Sequence, residues 1–202
     1  LAAVESNQLA NGHSFSIDSH FVSAKILIPK YNDSGQRIVR ASRKNEYWRS
    51  EYYSRLSNIV VHTPESDKLD ETLSEKKRRK ESFFIDAQEA FNENRPLAIA
   101  PEGTSETPDN VTNKSPGPFK PGAFLLANSL DPRPMIIPIA LANFDFPISK
   151  TVYSAVIKEG FYIDDFVDVN DSIALSGFLN EYRKKFRGYV EEAIELARNI
   201  ET

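Results

Sequence analysis

A histidine and a carboxylate stand five residues apart near the start of the chain, at His13 and Asp18. A neutral imidazole can accept a proton near pH 7, and a carboxylate on its other nitrogen fixes the tautomer and the ring orientation. A separation of five does not suit one helix face, which favours separations of three and four. It suits a turn at Asn11-Gly12 that enters a helix, with Ser16 as N-cap and Asp18 in the first helical turn. The pair is therefore a candidate general base with its orienting acid.

The same pair also has a purely structural interpretation. Negative charge is favoured at a helix N-terminus, so Asp18 could serve the helix alone while His13 lies on a surface loop. A second stretch, Pro101-Glu102-Gly103-Thr104, favours the catalytic interpretation because it follows a predicted strand. Open α/β sheets build ligand sites at the carboxyl ends of their strands.

Each residue of that second stretch has a chemical use. Gly103 lets the backbone approach a ligand closely, and Thr104 offers a hydroxyl and an amide. Glu102 is an anion, so it would hold a cation, a substrate hydroxyl or backbone amides, but not a phosphate. The alternative is that the four residues form only a structural turn.

Composition narrows the class of protein. The chain has 202 residues, of which 40% are hydrophobic and 27% charged, as in one globular domain with a sizeable core. A net charge of -4 argues against nucleic acid as a partner. The sequence contains no cysteine, which excludes disulfides, thiolate catalysis and cysteine-ligated zinc. Three scattered histidines predict no metal site.

The sequence shows no membrane-spanning run of apolar residues and no signal peptide. It begins with Leu1 in an apolar segment. We therefore expect that upstream sequence is missing, and with it any membrane anchor.

Strands and helices alternate in the elements that must position the candidate residues. Apolar runs predict strands at 1–4, 37–40, 58–61, 97–100, 136–140 and 152–157. Apolar periodicity and helix-breaking residues predict five helices, at 18–28, 45–56, Ser66 to about Asn92, 121–130 and 176–200. Pro29 is predicted to end the first of them. Residues 105–119 are rich in Pro, Gly, Ser and Asn and form a predicted loop. The alternation predicts a single α/β domain over 1–202, with three layers and a mostly parallel mixed sheet flanked by helices.

A basic run, Lys76-Lys77-Arg78-Arg79-Lys80, lies within the predicted helix that ends near Asn92. Such a run is usually the solvated face of a helix. The alternative is an anion site for a lipid headgroup or phosphate, in which Arg78 and Arg79 would bind substrate. The sequence leaves both interpretations open.

The chain resembles the glycerolipid acyltransferase family, the family of lysophosphatidic acid and glycerol-3-phosphate acyltransferases, over residues 1–157. Four motifs carry the resemblance and occur in the family's order: His13-x-x-x-x-Asp18, Pro101 to Thr104, Phe119-Lys120-Pro121-Gly122-Ala123, and the apolar, proline-containing stretch 135–139. The resemblance implies a glycerol-3-phosphate acyltransferase-like fold. It also implies transfer of a fatty acyl group from acyl-CoA or acyl carrier protein to a hydroxyl of a glycerolipid or lysophospholipid precursor.

The resemblance further implies roles for residues and partners. His13 would be the general base that Asp18 orients, and Glu102, Gly103, Thr104 and Lys120 would bind substrate. Arg78 and Arg79, from the basic run and not from a family motif, are further candidates for substrate binding. The acyl donor would be a co-substrate, and no metal or other cofactor would be needed. A membrane surface would be a partner, with the protein peripheral or anchored at the cytoplasmic face.

The chain departs from the family at two positions. The family's P-E-G-T is commonly followed by arginine, whereas this chain has Ser105. The family's second motif usually ends in an arginine that contacts the acceptor phosphate, whereas this chain continues into His62-Thr63-Pro64. Replacement cations could come from Arg43, Lys44, Arg78, Arg79 or Lys120.

Two other functions stay open, and the departures motivate the first of them. One is a non-catalytic lipid- or acyl-chain-binding domain of the same fold. The other is a thioesterase or hydrolase in which Ser14 is the nucleophile beside His13.

Overall fold

Helices and strands alternate along the chain, which confirms the predicted α/β character. The computed structural model describes residues 17–41, 56, 58–62, 71–103, 116–144 and 151–200. These residues belong to two compact units. Unit 1 comprises Leu1–Phe21, Pro101–Asn128 and Pro132–Thr202, and unit 2 comprises Val22–Ala100 and Ser129–Asp131. The predicted single, three-layer domain stays a prediction.

Unit 2 contains a parallel three-stranded sheet. Its strands are β1 (Gln36–Arg40), β2 (Asn58–Val61) and β3 (Leu97–Ala98), in the order β2-β1-β3. The central pairing places Ile38 opposite Ile59, and both side chains are buried. The strands predicted at 37–40 and 58–61 are confirmed. The strand predicted over 97–100 is shorter, because the chain turns at Pro101, which has no amide hydrogen for a further ladder bond.

Three consecutive helical stretches replace the helix predicted to end at Pro29. They are α1 (Ile17–Phe21), a π-helical stretch (Val22–Leu27) and α2 (Ile28–Tyr31). The predicted stop at Pro29 is wrong, since this proline lies in the first turn of α2. A missing N–H costs little there, because that group has no partner within the helix. The stretch ends at Asn32, which adopts the left-handed conformation with φ of 55°.

Helix α3 (Leu73–Asn92) carries the basic run and packs against β2 and β3. The predicted start at Ser66 is wrong, because Thr72 caps the helix in a reciprocal box. The Thr72 hydroxyl accepts from the Glu75 amide at 3.3 Å, and the Glu75 carboxylate accepts from the Thr72 amide at 2.7 Å. Ala87 and Ala90 are the buried residues of the helix, whereas Leu73 is 86% exposed in the first turn.

Unit 1 contains α4 (Gly122–Ser129) apart from its last residue, the antiparallel pair β4 (Ile139–Ala142) and β5 (Ser154–Ile157), and α5 (Ser172–Ile200). The strand predicted at 136–140 is displaced: Ile136 forms an isolated bridge with Phe161, and regular pairing begins at Ile139. Parallel and antiparallel pairings therefore occur in two separate sheets among the described strands, not in one mixed sheet.

The amphipathic stripe predicted for the last helix is confirmed on α5. Leu175 and Leu179 join a buried cluster with Phe119 and Phe124, and Ala193 packs against β4 and β5. Helix α5 thus contributes to two buried clusters of unit 1, one around Phe119 and Phe124 and one against β4 and β5. None of the described helices is long and apolar enough to cross a membrane.

Several predicted elements lie outside the described residues. They are the strand at 1–4, nearly all of the helix at 45–56 with Trp48 and Tyr52, and most of the loop at 105–119.

Candidate functional site

The turn at Pro101–Gly103 lies directly against Lys120, so the structure brings two of the four motifs together. The Lys120 amide donates a 2.8 Å hydrogen bond to the Pro101 carbonyl. Gly103 has φ of +72°, and a Cβ built there would lie 3.1 Å from Cδ and 3.6 Å from Nζ of Lys120. The lysine side chain therefore runs over the Gly103 backbone. Only glycine fits without strain, because of both the backbone angle and this close approach.

The residues next to Gly103 and Lys120 differ in how far they are buried. Glu102 is half-buried in the turn, whereas the Lys120 side chain is exposed. Phe119 is only 8% exposed, and its ring lies 5.9 Å from that of Tyr182 and 5.5 Å from that of Phe186 on α5. Lys120, which could bind an anion, therefore directly follows a residue, Phe119, that is anchored in the unit 1 core.

Tyr182 contributes packing to this region. Burial raises the pKa of its phenol far above the usual value, and neighbouring Tyr189 adds to the rise. The Tyr182 hydroxyl is therefore neutral throughout the pH range in which the protein would work.

Asp18 lies in the first turn of α1 and is half-buried, which confirms the predicted helical position. His13, the proposed base, lies outside the described residues, as do Ser14, Thr104 and Ser105. The His13–Asp18 hydrogen bond therefore stays a prediction.

Arg78 and Arg79 line a cleft of about 450 Å³ between β2 and α3 in unit 2. The two arginines differ within it. Arg79 Nη2 lies 2.6 Å from Oε2 of Glu71, and the exposed fractions of the two side chains are 23% and 11%. Arg78 is exposed. The predicted substrate-binding pair is thus one internally paired arginine and one that faces solvent.

The cleft also contains residues that sequence reasoning did not assign to it. His62, which follows β2 where the family has its arginine, lines the same cleft, as do Asn58, Ser82, Phe83 and Asp86. Helical spacing could have identified Ser82 and Asp86, because Arg78, Ser82 and Asp86 follow at intervals of four. With Glu75 also in the lining, two carboxylates balance the two guanidiniums. The cleft is therefore not uniformly basic.

A metal site is not indicated in the part of the chain that the structure describes, where no group of three or more histidine or acidic side chains could hold an ion.

Comparison of the chain with protein-family models, with curated proteins and with solved structures finds no match. The resemblance to the glycerolipid acyltransferases therefore stays a prediction from the four motifs in the sequence.

Proposed function

We propose that the protein is an O-acyltransferase that moves a fatty acyl group from acyl-CoA or acyl carrier protein to a hydroxyl of a glycerolipid or lysophospholipid precursor. The observation that carries the proposal is the contact between two motifs, in which the side chain of Lys120 crosses the backbone of Gly103 and its amide bonds to Pro101. A glycine of positive φ also suits a structural turn, so it is the exposed cation of Lys120 beside that backbone that favours an anion-binding site.

The proposed reaction is a direct transfer. His13 removes the proton from the acceptor hydroxyl as its oxygen attacks the thioester carbonyl carbon. The carbon–sulfur bond then breaks, and the leaving thiolate takes the proton from the His13 imidazolium. Asp18 orients the imidazole and stabilises its cationic form. No nucleophile from the enzyme is required, in keeping with the absence of cysteine.

Binding of the substrates falls to the region around Gly103. The Lys120 ammonium would pair with a phosphate of the donor or the acceptor, and the bare Gly103 backbone would allow the ligand to approach. Thr104 would add a hydroxyl and an amide, and Glu102 would accept from a substrate hydroxyl. In unit 2, Arg78 would attract an anionic headgroup or the anionic surface of a membrane at its cytoplasmic face.

Thiol release from an acyl-CoA tests the proposal. The protein is incubated with acyl-CoA alone and with a panel of lysophospholipid and glycerol-phosphate acceptors. Release that depends on an acceptor supports a transferase. Release at an equal rate without an acceptor indicates the Ser14-dependent hydrolase instead. Binding of acyl-CoA without any release indicates the non-catalytic lipid-binding domain that the residues Ser105 and His62 leave open.

A further inference from the structure

We propose that Arg183 on α5 is a positioning residue that holds Lys120 in place over Gly103. Arg183 lies beyond the four motifs and beyond residues 1–157, which carry the family resemblance. The inference rests on the proposed function for one point, that Lys120 binds substrate.

The first link is a polar contact between α5 and the segment before Lys120. Arg183 Nε donates a 2.8 Å hydrogen bond to the carbonyl of Pro116. Pro116 is among the most buried side chains of the described residues, and Gly117 is buried as well. A buried carbonyl requires a donor, and a charged donor makes a stronger bond than a neutral one.

The second link is aromatic. Tyr182 precedes Arg183, Phe186 follows it by three residues, and the rings of both contact that of Phe119. Helix α5 therefore holds the segment 116–119 at both ends, through a hydrogen bond at Pro116 and through ring packing at Phe119. Because these side chains are close neighbours on one helix, the segment has little freedom to shift along it.

The third link is the contact of Lys120 with the turn at the candidate site. Lys120 follows Phe119 directly, and its amide bonds to the Pro101 carbonyl at 2.8 Å. Its side chain passes within 3.1 Å of the Cβ position at Gly103. A shift of the 116–119 segment would therefore move the Lys120 ammonium relative to the turn.

A double-mutant cycle separates positioning from general stability. We expect Arg183→Leu to raise the KM for an anionic substrate by on the order of threefold to tenfold, the range of coupling between neighbouring residues, with little change in kcat. If Arg183 acts through Lys120, adding it to Lys120→Ala should cause no further rise in KM. Arg183→Lys keeps a donor and should recover most of the loss. Additive effects of Arg183→Leu and Lys120→Ala would overturn the proposal.

Lys184→Ala is the matched control. Lys184 is the next residue on α5 and pairs with Glu181 at 2.7 Å, with exposed fractions of 70% and 73%. This variant should leave KM unchanged, singly and together with Lys120→Ala.

Amide exchange tests the same positioning without reference to catalysis. By NMR, the Lys120 amide should exchange about fivefold to tenfold faster in Arg183→Leu, the factor that a weakened hydrogen bond gives, and at the wild-type rate in Lys184→Ala. If Arg183→Leu does not fold, Arg183→Gln takes its place. An unchanged Lys120 exchange rate in a folded variant contradicts the positioning role. A wild-type protein that transfers no acyl group contradicts the proposed function and leaves the exchange test valid.

Discussion

The Lys120 region of unit 1 and the α3 cleft of unit 2 both carry basic residues, but the two regions hold them by different means. Lys120 is fixed through its backbone: its amide bonds to Pro101, and the preceding Phe119 is buried against α5. In the cleft, Arg79 is held by its own side chain through the ion pair with Glu71.

This difference separates basic residues that stabilise the fold from those that could bind a ligand. Arg79 is partly buried and already neutralised, so it serves stability first. Lys120 and Arg78 are both exposed, but the Lys120 side chain lies against the Gly103 backbone, whereas Arg78 projects from α3. A preorganised cation costs less to use in binding than one on a mobile surface chain. We therefore propose that the substrate contacts lie in the Lys120 region and that the cleft has an accessory role.

The largest effect is expected from His13→Ala. Losing the general base should reduce acyl transfer on the order of a hundredfold to ten-thousandfold while the protein remains folded. Initial rates of acceptor-dependent thiol release, with circular dichroism as the folding check, measure it. Near-wild-type turnover would remove His13 from the mechanism and leave the Lys120 region as a binding site only.

Asp18→Asn should cause a loss of the same order, because the amide permits the wrong imidazole tautomer. The structural interpretation gives a different result. If Asp18 only favours the start of α1, the change removes at most about 1 kcal/mol of stability and leaves the rate intact. Parallel measurement of kcat and Tm distinguishes the two interpretations.

Gly103→Ala probes the backbone of the Lys120 region. A side chain at φ of +72° costs about 1–2 kcal/mol, and the new Cβ must displace Lys120. The backbone strain lowers stability. The displaced Lys120 ammonium should raise the KM for the anionic substrate by on the order of tenfold, the factor for a lost contact of about 1.4 kcal/mol. Gly177→Ala on α5 is the matched control, because a Cβ there meets no atom within 4 Å. If both glycine variants keep wild-type KM values, the Gly103–Lys120 contact has no part in binding.

Arg79→Ala should reduce stability without a specific effect on transfer. The largely buried carboxylate of Glu71 would lose its partner, at a cost of about 1.5–3 kcal/mol in folding stability. For a chain of this size that lowers Tm by roughly 3 to 12 °C. Lys77→Ala is the control on the same helix, since its pairing with Glu81 is long, at 3.8 Å, and exposed. An Arg79 variant as stable as the Lys77 variant would mean that the ion pair with Glu71 contributes nothing.

The smallest effect is expected from Arg78→Ala. Binding to anionic vesicles should weaken about fivefold, the contribution of one basic side chain near such a surface. Added salt should erase the difference, because exposed charges are screened. Lys80→Ala, which removes an exposed cation outside the cleft lining, serves as control. Equal losses for Arg78 and Lys80 would indicate a general charge effect and not a site.

Much of the secondary structure could be predicted because its signals are local. The β-branched runs at 37–40 and 58–61 and the apolar stripe at 176–200 each identify an element without reference to the rest of the chain. The start of α3 is harder to predict because Ser66 and Thr72 are both good caps, and only Thr72 has a glutamate three residues later. Pro29 is a misleading stop signal because a proline in the first turn of a new helical stretch does not end the helix.

The candidate site could be predicted only in part, because its contacts join residues that are distant in sequence. The motifs identify Gly103 and Lys120 one at a time, and the positive φ of Gly103 is the kind of feature a glycine suggests. The partner of Arg79 is eight residues away outside the helix, and the partner of Arg183 is 67 residues away. Such pairings depend on tertiary packing, which no local pattern encodes.

The most direct test of acyl transfer is a mass spectrum of lipid products made from isotope-labelled acyl-CoA and a panel of acceptors. We expect wild-type protein to produce an acceptor heavier by one labelled acyl group, and His13→Ala to produce none above background. A spectrum with unchanged acceptors, or with labelled free fatty acid as the sole product, would contradict it.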